Sequence, residues 1–296
     1  MSRSPAFCAA ALAAAATLAP LAARADPATG GPTLCERERA HRDGEAAAET
    51  LAAPIALSWE STDFLEARGV CPSTGAFFRL HGSALIAVAD FYGRIGAGAL
   101  VGGRLALPSG IELSLTGDLA FEYVQNASIA RTAFGGGPVT MGALFGNLGF
   151  ERALMRFAPA LRLLLPSSTL YRGSNVVGID PALVWGGARG KRLELFGSFG
   201  YAIWAAVSSG GLNVWHGPNL TVGAALMLFP RLKLLVQLDG HGKAAADFQI
   251  ERIALSGALR LRLGSALRLE LAAGTVLAGI DRTDVTAALN VSVLDR

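Results

Sequence analysis

An alternation of apolar and polar residues between positions 111 and 124 limits most strongly what this chain can fold into. In IELSLTGDLAFEYV, Leu113, Leu115 and Leu119 fall on one side, and Glu112 and Glu122 fall on the other. Successive side chains of a β-strand point to opposite faces, so this segment is a strand with one apolar and one polar face. A soluble sheet and a membrane barrel share this alternation, but the apolar face meets a core in one and lipid in the other.

The same alternation recurs from about residue 81 onward, which predicts an all-β chain. Leu267, Leu269 and Leu271, for example, face away from Arg268 and Glu270. Most predicted strands are long enough to cross a bilayer at a tilt. The faces of the first and fourth strands are not assigned. The twelve predicted strands are 81–92, 95–107, 111–124, 139–151, 155–165, 176–188, 191–206, 217–229, 232–241, 251–263, 266–279 and 284–294.

The connections between these strands differ in length in a regular way. Short turns follow the even-numbered strands, as at Pro108-Ser109-Gly110. Longer loops are predicted after four odd-numbered strands, at 125–138, 166–175, 207–216 and 242–250, although the loops after strands one and eleven are short. Outer-membrane barrels with both termini in the periplasm have short periplasmic turns and longer outer loops.

The composition favours a lipid-facing exterior. Charged residues make up 17% of the chain and the mean hydropathy is +0.41, whereas a typical soluble domain has about 25% charged residues. We therefore expect a transmembrane antiparallel up-and-down β-barrel of about 12 strands at 81–296, located in the cell outer membrane and in contact with its lipid. A secreted soluble β-barrel that binds lipid is the alternative, with Leu113, Leu115 and Leu119 as its buried core.

The first 80 residues differ from the barrel. Residues 1–25 combine a basic start, an apolar stretch and an Ala-Arg-Ala site, which predicts a secretory signal peptide. Residues 26–80 then form a periplasmic extension or a plug, between which the sequence does not choose. Cys35 and Cys71 remain in an oxidising compartment, which favours a disulfide over free thiols or a metal pair. Signal removal leaves 24 of the 26 basic residues against 23 acidic ones, so no nucleic-acid partner is expected.

The last predicted strand carries a second signal. Thr286, Ala288, Val291 and Val293 occupy the places of a polar residue, a small residue and two spaced hydrophobic residues. This segment resembles the barrel-assembly signal of Gram-negative outer-membrane β-barrels, and the resemblance implies the barrel-assembly machinery as a partner. It departs from the pattern with Ala288 where glycine is usual, and with Leu-Asp-Arg at the end in place of an aromatic residue.

A looser resemblance covers about fifty residues in the middle of the chain. FAPALRLLLPSSTL at 157–170, followed by WGGARGKRLELFGSFGYAIW at 185–204, is similar to the transporters of the meta-pathway phenol-degradation family. In that family a strand ending in a Pro-Thr/Ser turn precedes a strand pair. The resemblance implies passage or binding of small hydrophobic compounds.

If the apolar faces meet lipid, the polar faces line the barrel lumen. The charges there either pair across strands and fill a closed lumen, or set a transverse field across an open path. Arg260, Arg262 and Arg268 surround one short turn, as an anion-attracting entrance or as a cluster neutralised by Glu270. The lumen-lining candidates are Arg104, Glu112, Asp118, Glu122, Arg162, Asp180, Glu194, Lys233, Asp239, Arg252, Arg260, Arg262, Arg268 and Glu270.

An enzymatic alternative rests on His81 and Ser83, which have the His-x-Ser spacing of an outer-membrane phospholipase. That family has Asn-Gly after the serine, where Ala84 and Leu85 stand here, and the next strand offers no asparagine at 93–97. The other histidines lack metal-ligand spacing, so no enzyme, metal site or cofactor is expected. The sequence predicts a passive channel or binding barrel for small hydrophobic or amphipathic solutes, with a filled structural or adhesion barrel as the rival.

Overall fold

The computed structural model describes residues 70–87, 92–125, 130–136, 139–152, 155–166, 175–189, 192–208, 211–244, 248–263, 267–279 and 285–294. These residues form strands and one 3-10 turn at Gly146–Leu148, and they include no helix long and apolar enough to cross a membrane. The strands are β1 (Gly75–Ala87), β2 (Tyr92–Ala106), β3 (Ile111–Gln125), β4 (Ala130–Gly136), β5 (Val139–Phe145), β6 (Phe150–Arg152), β7 (Met155–Leu165), β8 (Asn175–Arg189), β9 (Leu193–Ser208), β10 (Gly211–Phe229), β11 (Leu232–Ala244), β12 (Phe248–Leu263), β13 (Leu267–Gly279) and β14 (Val285–Leu294).

The strands close into one antiparallel barrel. From β7 to β14 each strand pairs with the next, β2 pairs with β3, and β1 pairs with both β2 and β14. The short strands β4, β5 and β6 share one place in the wall, because β4 and β5 pair with successive halves of β3, and β5 and β6 with successive parts of β7. The barrel therefore has twelve wall strands, as predicted. Among the described residues, the pairing of β1 with β14 closes the wall, while β4 pairs with β3 alone. Closure pairs the long wall strands on both sides, as a lipid environment requires.

Every predicted strand overlaps a strand of the structure, but several boundaries differ. The barrel begins at Gly75, six residues before the predicted start. The predicted loop at 125–138 contains β4, and the loops at 207–216 and 242–250 are largely strand, because β9 to β12 extend beyond the predicted ends. These extensions hydrogen-bond to a neighbouring strand although their side chains do not alternate cleanly. Strand pairing, rather than the periodicity of the sequence, therefore determines where these strands end.

The outer surface of the barrel is apolar. Leu113, Leu115 and Leu119 of β3 are 47%, 54% and 56% exposed, whereas a soluble barrel would bury them. Leucine, valine and phenylalanine side chains of the other wall strands are exposed in the same way. A contiguous apolar exterior of this kind is rare on soluble monomers and suits contact with lipid.

Several aromatic rings lie flat on glycines of the neighbouring strand. A Cβ at Gly178 would stand 2.2 Å from Cδ1 of Trp204, and a Cβ at Gly98 would stand 2.5 Å from Nε2 of His81. Gly178 pairs directly with Trp204, and Gly98 with His81. Each ring occupies the space that a side chain at the glycine would otherwise fill. Large rings can therefore be accommodated inside a narrow barrel.

Replacing Gly178 by alanine is therefore expected to lower the free energy of unfolding by about 1–3 kcal/mol, because Trp204 must leave its place. The matched control is Gly117→Ala in β3, where an added Cβ meets nothing within 4 Å. Urea unfolding in lipid vesicles, followed by tryptophan fluorescence, measures both variants. Equal stability of the two variants would contradict this packing.

Candidate functional site

The structure places the predicted lumen residues on the inward parity of their strands. Thirteen of the fourteen have described side chains, and those of Glu112, Asp180, Glu194, Asp239, Arg260, Arg268 and Glu270 are buried, while Arg104, Glu122, Arg162, Lys233, Arg252 and Arg262 are partly exposed. The side chain of Asp118 lies outside the described part of the chain. That these residues line a passage stays a prediction.

Directly paired positions on four strands of the wall carry two cations, one carboxylate and one amide, and we call Lys233, Arg260, Glu270 and Asn290 the ion row. Nε of Arg260 donates to Oε2 of Glu270 at 2.7 Å, and Nη2 of Arg260 donates to the same oxygen. Nζ of Lys233 donates to Glu194 at 2.5 Å from two strands away. One ion pair therefore links β9 to β11 and the other links β12 to β13 from inside the barrel, as cross-strand ion pairs do.

Two further networks lie in the interior. Asp180 accepts from both Nε and Nη2 of Arg162, at 3.1 and 2.8 Å, and from the amide of Asn219 at 2.9 Å. Asp239 accepts from the hydroxyl of Thr221 at 2.8 Å and from the amide of Gln237 at 2.6 Å. Each carboxylate therefore has hydrogen-bond donors on both oxygens, as a buried charge requires.

These contacts bear on the two alternatives for the interior. Arg260 is paired with Glu270, as the neutralised-cluster alternative expects, whereas Arg262 and Arg268 face each other directly as like charges. Ion pairs occur toward both ends, since Arg260 pairs with Glu270 near the short turns and Arg162 pairs with Asp180 nearer the longer loops. An open path therefore depends on the space that these pairs leave beside them.

Above the ion row, one leucine and three alanines line the interior wall. Leu235, Ala258, Ala272 and Ala288 occupy directly paired positions on β11 to β14, and all four are buried. Together with Ala225 and Phe196 they form an apolar cluster on the inner surface. Alanine fills little of the lumen, so the wall leaves room beside this row.

That room is a cavity of about 260 Å³. It is lined by Arg79 and His81 of β1, by Asp239 of β11, and by Arg252 and Ser256 of β12. Ala272 and Ala288, two of the paired alanines above the ion row, also line it. Nη2 of Arg252 lies 3.2 Å from Nε2 of His241, which holds the guanidinium at one side of the cavity. Two cationic side chains thus lie near one carboxylate that Thr221 and Gln237 already bind.

Sequence reasoning missed Arg79 because the first strand was predicted to begin at residue 81. The signal was present, since Phe78 and Leu80 are exposed and Arg79, His81 and Ser83 have the opposite parity. Reading that alternation backwards from residue 83 would have moved the start of the strand and added Arg79 to the interior.

The phospholipase-like pair also faces this cavity, since both His81 and Ser83 line it. The positions directly opposite on β2 are Gly98 and Gly96. Glycine has no side chain with which to orient the imidazole of His81. β2 therefore supplies no third catalytic residue at these two positions.

An aromatic and cationic group lies inside the barrel at the end that carries the longer loops. Trp204 and Trp215 are directly paired, with ring centroids 6.1 Å apart and planes at 58°. Nζ of Lys243 stands 5.8 Å from the centroid of the Trp215 ring, a cation–π distance. Lys243 lies two residues along β11 from His241, so this group leads toward the cavity.

Residues 70–74, which we call the strap, enter the interior at the end with the short turns. The amide and the hydroxyl of Ser73 donate to Oε2 of Glu112, at 2.7 and 3.2 Å. Nη1 of Arg104 donates to the Ser73 hydroxyl at 3.4 Å, and Thr74 accepts from the amide of Ala106 at 3.0 Å. Glu112 thus holds the strap against β3.

The strap also has an apolar contact. Val70 and Cys71 are buried in a cluster with Leu144, Ala158 and Val184 on the inner side of β5, β7 and β8. Cys71 is disulfide-bonded. Its predicted partner Cys35 lies outside the described residues, as do the predicted signal peptide and residues 26–69 of the predicted extension, so these stay predictions.

Replacing Glu112 by alanine is expected to release the strap, because the amide of Ser73 loses its carboxylate. A hydrogen bond to a charged group contributes about 1.5–3 kcal/mol, so the Ser73 amide should exchange hydrogen roughly 10- to 100-fold faster. Hydrogen exchange with mass spectrometry measures this rate, with Ser114→Ala on the same face of β3 as the control. Unchanged exchange would show that Glu112 does not hold the strap.

Solved structures with the same architecture are outer-membrane proteins. The COG4313 outer membrane channel from Pseudomonas putida F1 is 12% identical with a TM-score of 0.58, over 76% of this chain and 96% of that one. The beta domain of the Bordetella autotransporter BrkA is 11% identical with a TM-score of 0.51, over 75% of this chain and 99% of that one.

No protein-family model and no curated protein sequence matches the chain, so membership of the meta-pathway family stays a prediction. At identities this low the structural likeness shows the fold alone. The chain has the fold of outer-membrane β-barrels.

Proposed function

We propose that this protein is a passive channel or binding barrel of the outer membrane that takes small hydrophobic or amphipathic solutes. It reaches the membrane through a signal peptide and the barrel-assembly machinery, contacts lipid through its outer face, and performs no chemistry. A channel and an autotransporter domain share its fold, so the fold alone does not decide between them, and the interior carries the proposal.

One observation supports the proposal above the others. The barrel contains a partly open cavity of about 260 Å³ whose lining combines arginine and hydroxyl groups with alanines. A barrel that served only as a membrane anchor needs no such space. Mixed polar and apolar lining is typical of small-molecule sites and suits amphipathic solutes.

The filled structural or adhesion barrel is the second candidate, and a different observation favours it. Phe196, Leu235 and Gln237 are fully buried inside the wall, and the strap occupies the interior beside β3. The half of the lumen near the short turns is therefore narrowed by side chains and by the chain itself. In a channel, solutes have to cross this narrowed half of the lumen.

Two measurements test the proposal in sequence. Gel migration of the detergent-extracted membrane fraction, boiled against unboiled, is expected to change on heating, because a closed ladder of strands resists SDS. Single-channel recording in planar bilayers with KCl is then expected to give discrete current steps. A heat-modifiable protein with no conductance would overturn the channel in favour of the filled barrel, and a soluble protein without a shift would overturn the membrane barrel itself.

A further inference from the structure

We propose that the interior cavity binds a small aromatic carboxylate, with Arg79 and Arg252 as the groups that hold its charge. This inference rests on the proposed function in one respect, since it names the class of solute that the barrel takes. The binding it describes does not require the barrel to conduct.

The charged groups that line the cavity favour an anionic ligand. Two guanidinium groups, Arg79 and Arg252, line the cavity with one carboxylate, Asp239. Both oxygens of Asp239 already accept hydrogen bonds from Thr221 and Gln237.

The geometry of arginine adds to this selection. A guanidinium offers a planar fork of donors that suits the two oxygens of a carboxylate. The hydroxyls of Ser83, Ser256 and Thr286 also line the cavity and can donate to the same group.

The size and the apolar side of the cavity select a single ring. Ala254, Ala272, Val276 and Ala288 supply apolar lining. An apolar cavity of about 150 Å³ is enough to hold benzene, so about 260 Å³ holds one ring with its carboxylate and ordered water. A second fused ring would compete for the space that the carboxylate and its water need.

The aromatic group at the loop end provides a route of entry for the same class of solute. The rings of Trp204 and Trp215 offer faces on which a flat ring stacks, and Lys243 beside Trp215 attracts an anion. A solute that passes Lys243 next meets His241 and the guanidinium of Arg252, which lie side by side.

The test uses benzoate as the probe and the purified full-length protein in detergent micelles, with binding measured by isothermal titration calorimetry. Benzoate is expected to bind, and benzamide, which has the same shape without the charge, is expected to bind at least about 10-fold more weakly. Arg252→Gln and Arg79→Gln should each weaken benzoate binding by about 10- to 100-fold, because a hydrogen bond to a charged group is lost.

Two further variants separate binding from folding. Arg262→Gln removes a positive charge from the same face of β12 but lies outside the cavity lining, so benzoate affinity should stay within about twofold, which is less than the effect of one neutral hydrogen bond. Ala272→Leu fills the cavity without changing its charge and should abolish binding. The heat-dependent gel shift confirms that each variant is folded.

Equal binding of benzoate and benzamide, an unchanged affinity in both arginine variants, or no benzoate binding by the folded protein would each overturn the inference. Conductance in KCl without benzoate tests the channel separately. A barrel that binds benzoate but does not conduct keeps this inference and overturns the channel. A conducting barrel that ignores benzoate keeps the channel and overturns this inference.

Discussion

Replacing Glu270 by glutamine is expected to lower the free energy of unfolding by about 3–5 kcal/mol, because it leaves a buried charge without its partner. Glu270 and Arg260 are 2% and 7% exposed, and two nitrogens of the guanidinium donate to one carboxylate oxygen. Lys233 faces Arg260 directly from β11, so the variant also leaves two like charges together. Urea unfolding in lipid vesicles measures the loss.

The double variant Arg260→Met, Glu270→Met is expected to recover most of that stability, since apolar residues of similar size replace buried ion pairs at little cost. Glu151→Gln serves as the control. Glu151 pairs with Arg156 at 3.3 Å, but its side chain is 29% exposed and Arg156 keeps its hydrogen bond to the carbonyl oxygen of Gly146, so the loss should be smaller than for Glu270→Gln. If Glu270→Gln costs no more than the control, the ion row does not stabilise the barrel.

Replacing Leu119 by arginine is expected to lower the free energy of unfolding by about 2–4 kcal/mol, the cost of a cation on the lipid face near the bilayer midplane. Leu119 is 56% exposed and lies near the middle of β3. The same urea titration in vesicles measures the effect, because the lipid must be present for the cost to arise.

Gln125→Arg is the matched control, since Gln125 has the same parity on β3 and lies at the loop end of that strand. Near the membrane interface the same arginine should cost only about 0–1 kcal/mol. Equal effects at the two positions would show that the exterior meets water, and would restore the soluble barrel as the better interpretation.

The fold was predictable because its cause is local. Each wall strand needs one face for lipid and one for the interior, and Leu255, Leu259 and Leu261 against Ser256 and Arg260 show that requirement within one segment. The missed strand β4 shows the limit of this reasoning. ARTAFGG has no clean period, and it becomes a strand because β3 offers it unpaired backbone groups.

The interior was predictable as a set of residues but not as an arrangement. Parity on a strand tells which side chains point inward, so Glu270, Arg252 and Asp239 were found from the sequence. Parity says nothing about which strands meet across the wall or how far one is shifted against the next. The pairing of Lys233 with Glu194, two strands away, depends on that shift and on the short side chains between them.

The cavity illustrates the same division. Ala272 and Ala288 read in the sequence as unremarkable small residues, and Arg79 lay outside the predicted strand. Only closure of β1 on β14 brings Arg79 and His81 beside the alanines of β13 and β14.

The sequence by itself determined the strands, their two faces and the class of barrel, because alternation and turn chemistry act within a few residues. The tertiary structure alone decided the register, and with it the ion row, the strap on Glu112 and the cavity between Arg79 and Arg252. Register depends on hydrogen bonds between segments more than two hundred residues apart, as in the pairing of Gly75 with Leu294, and no local pattern encodes a distance of that kind.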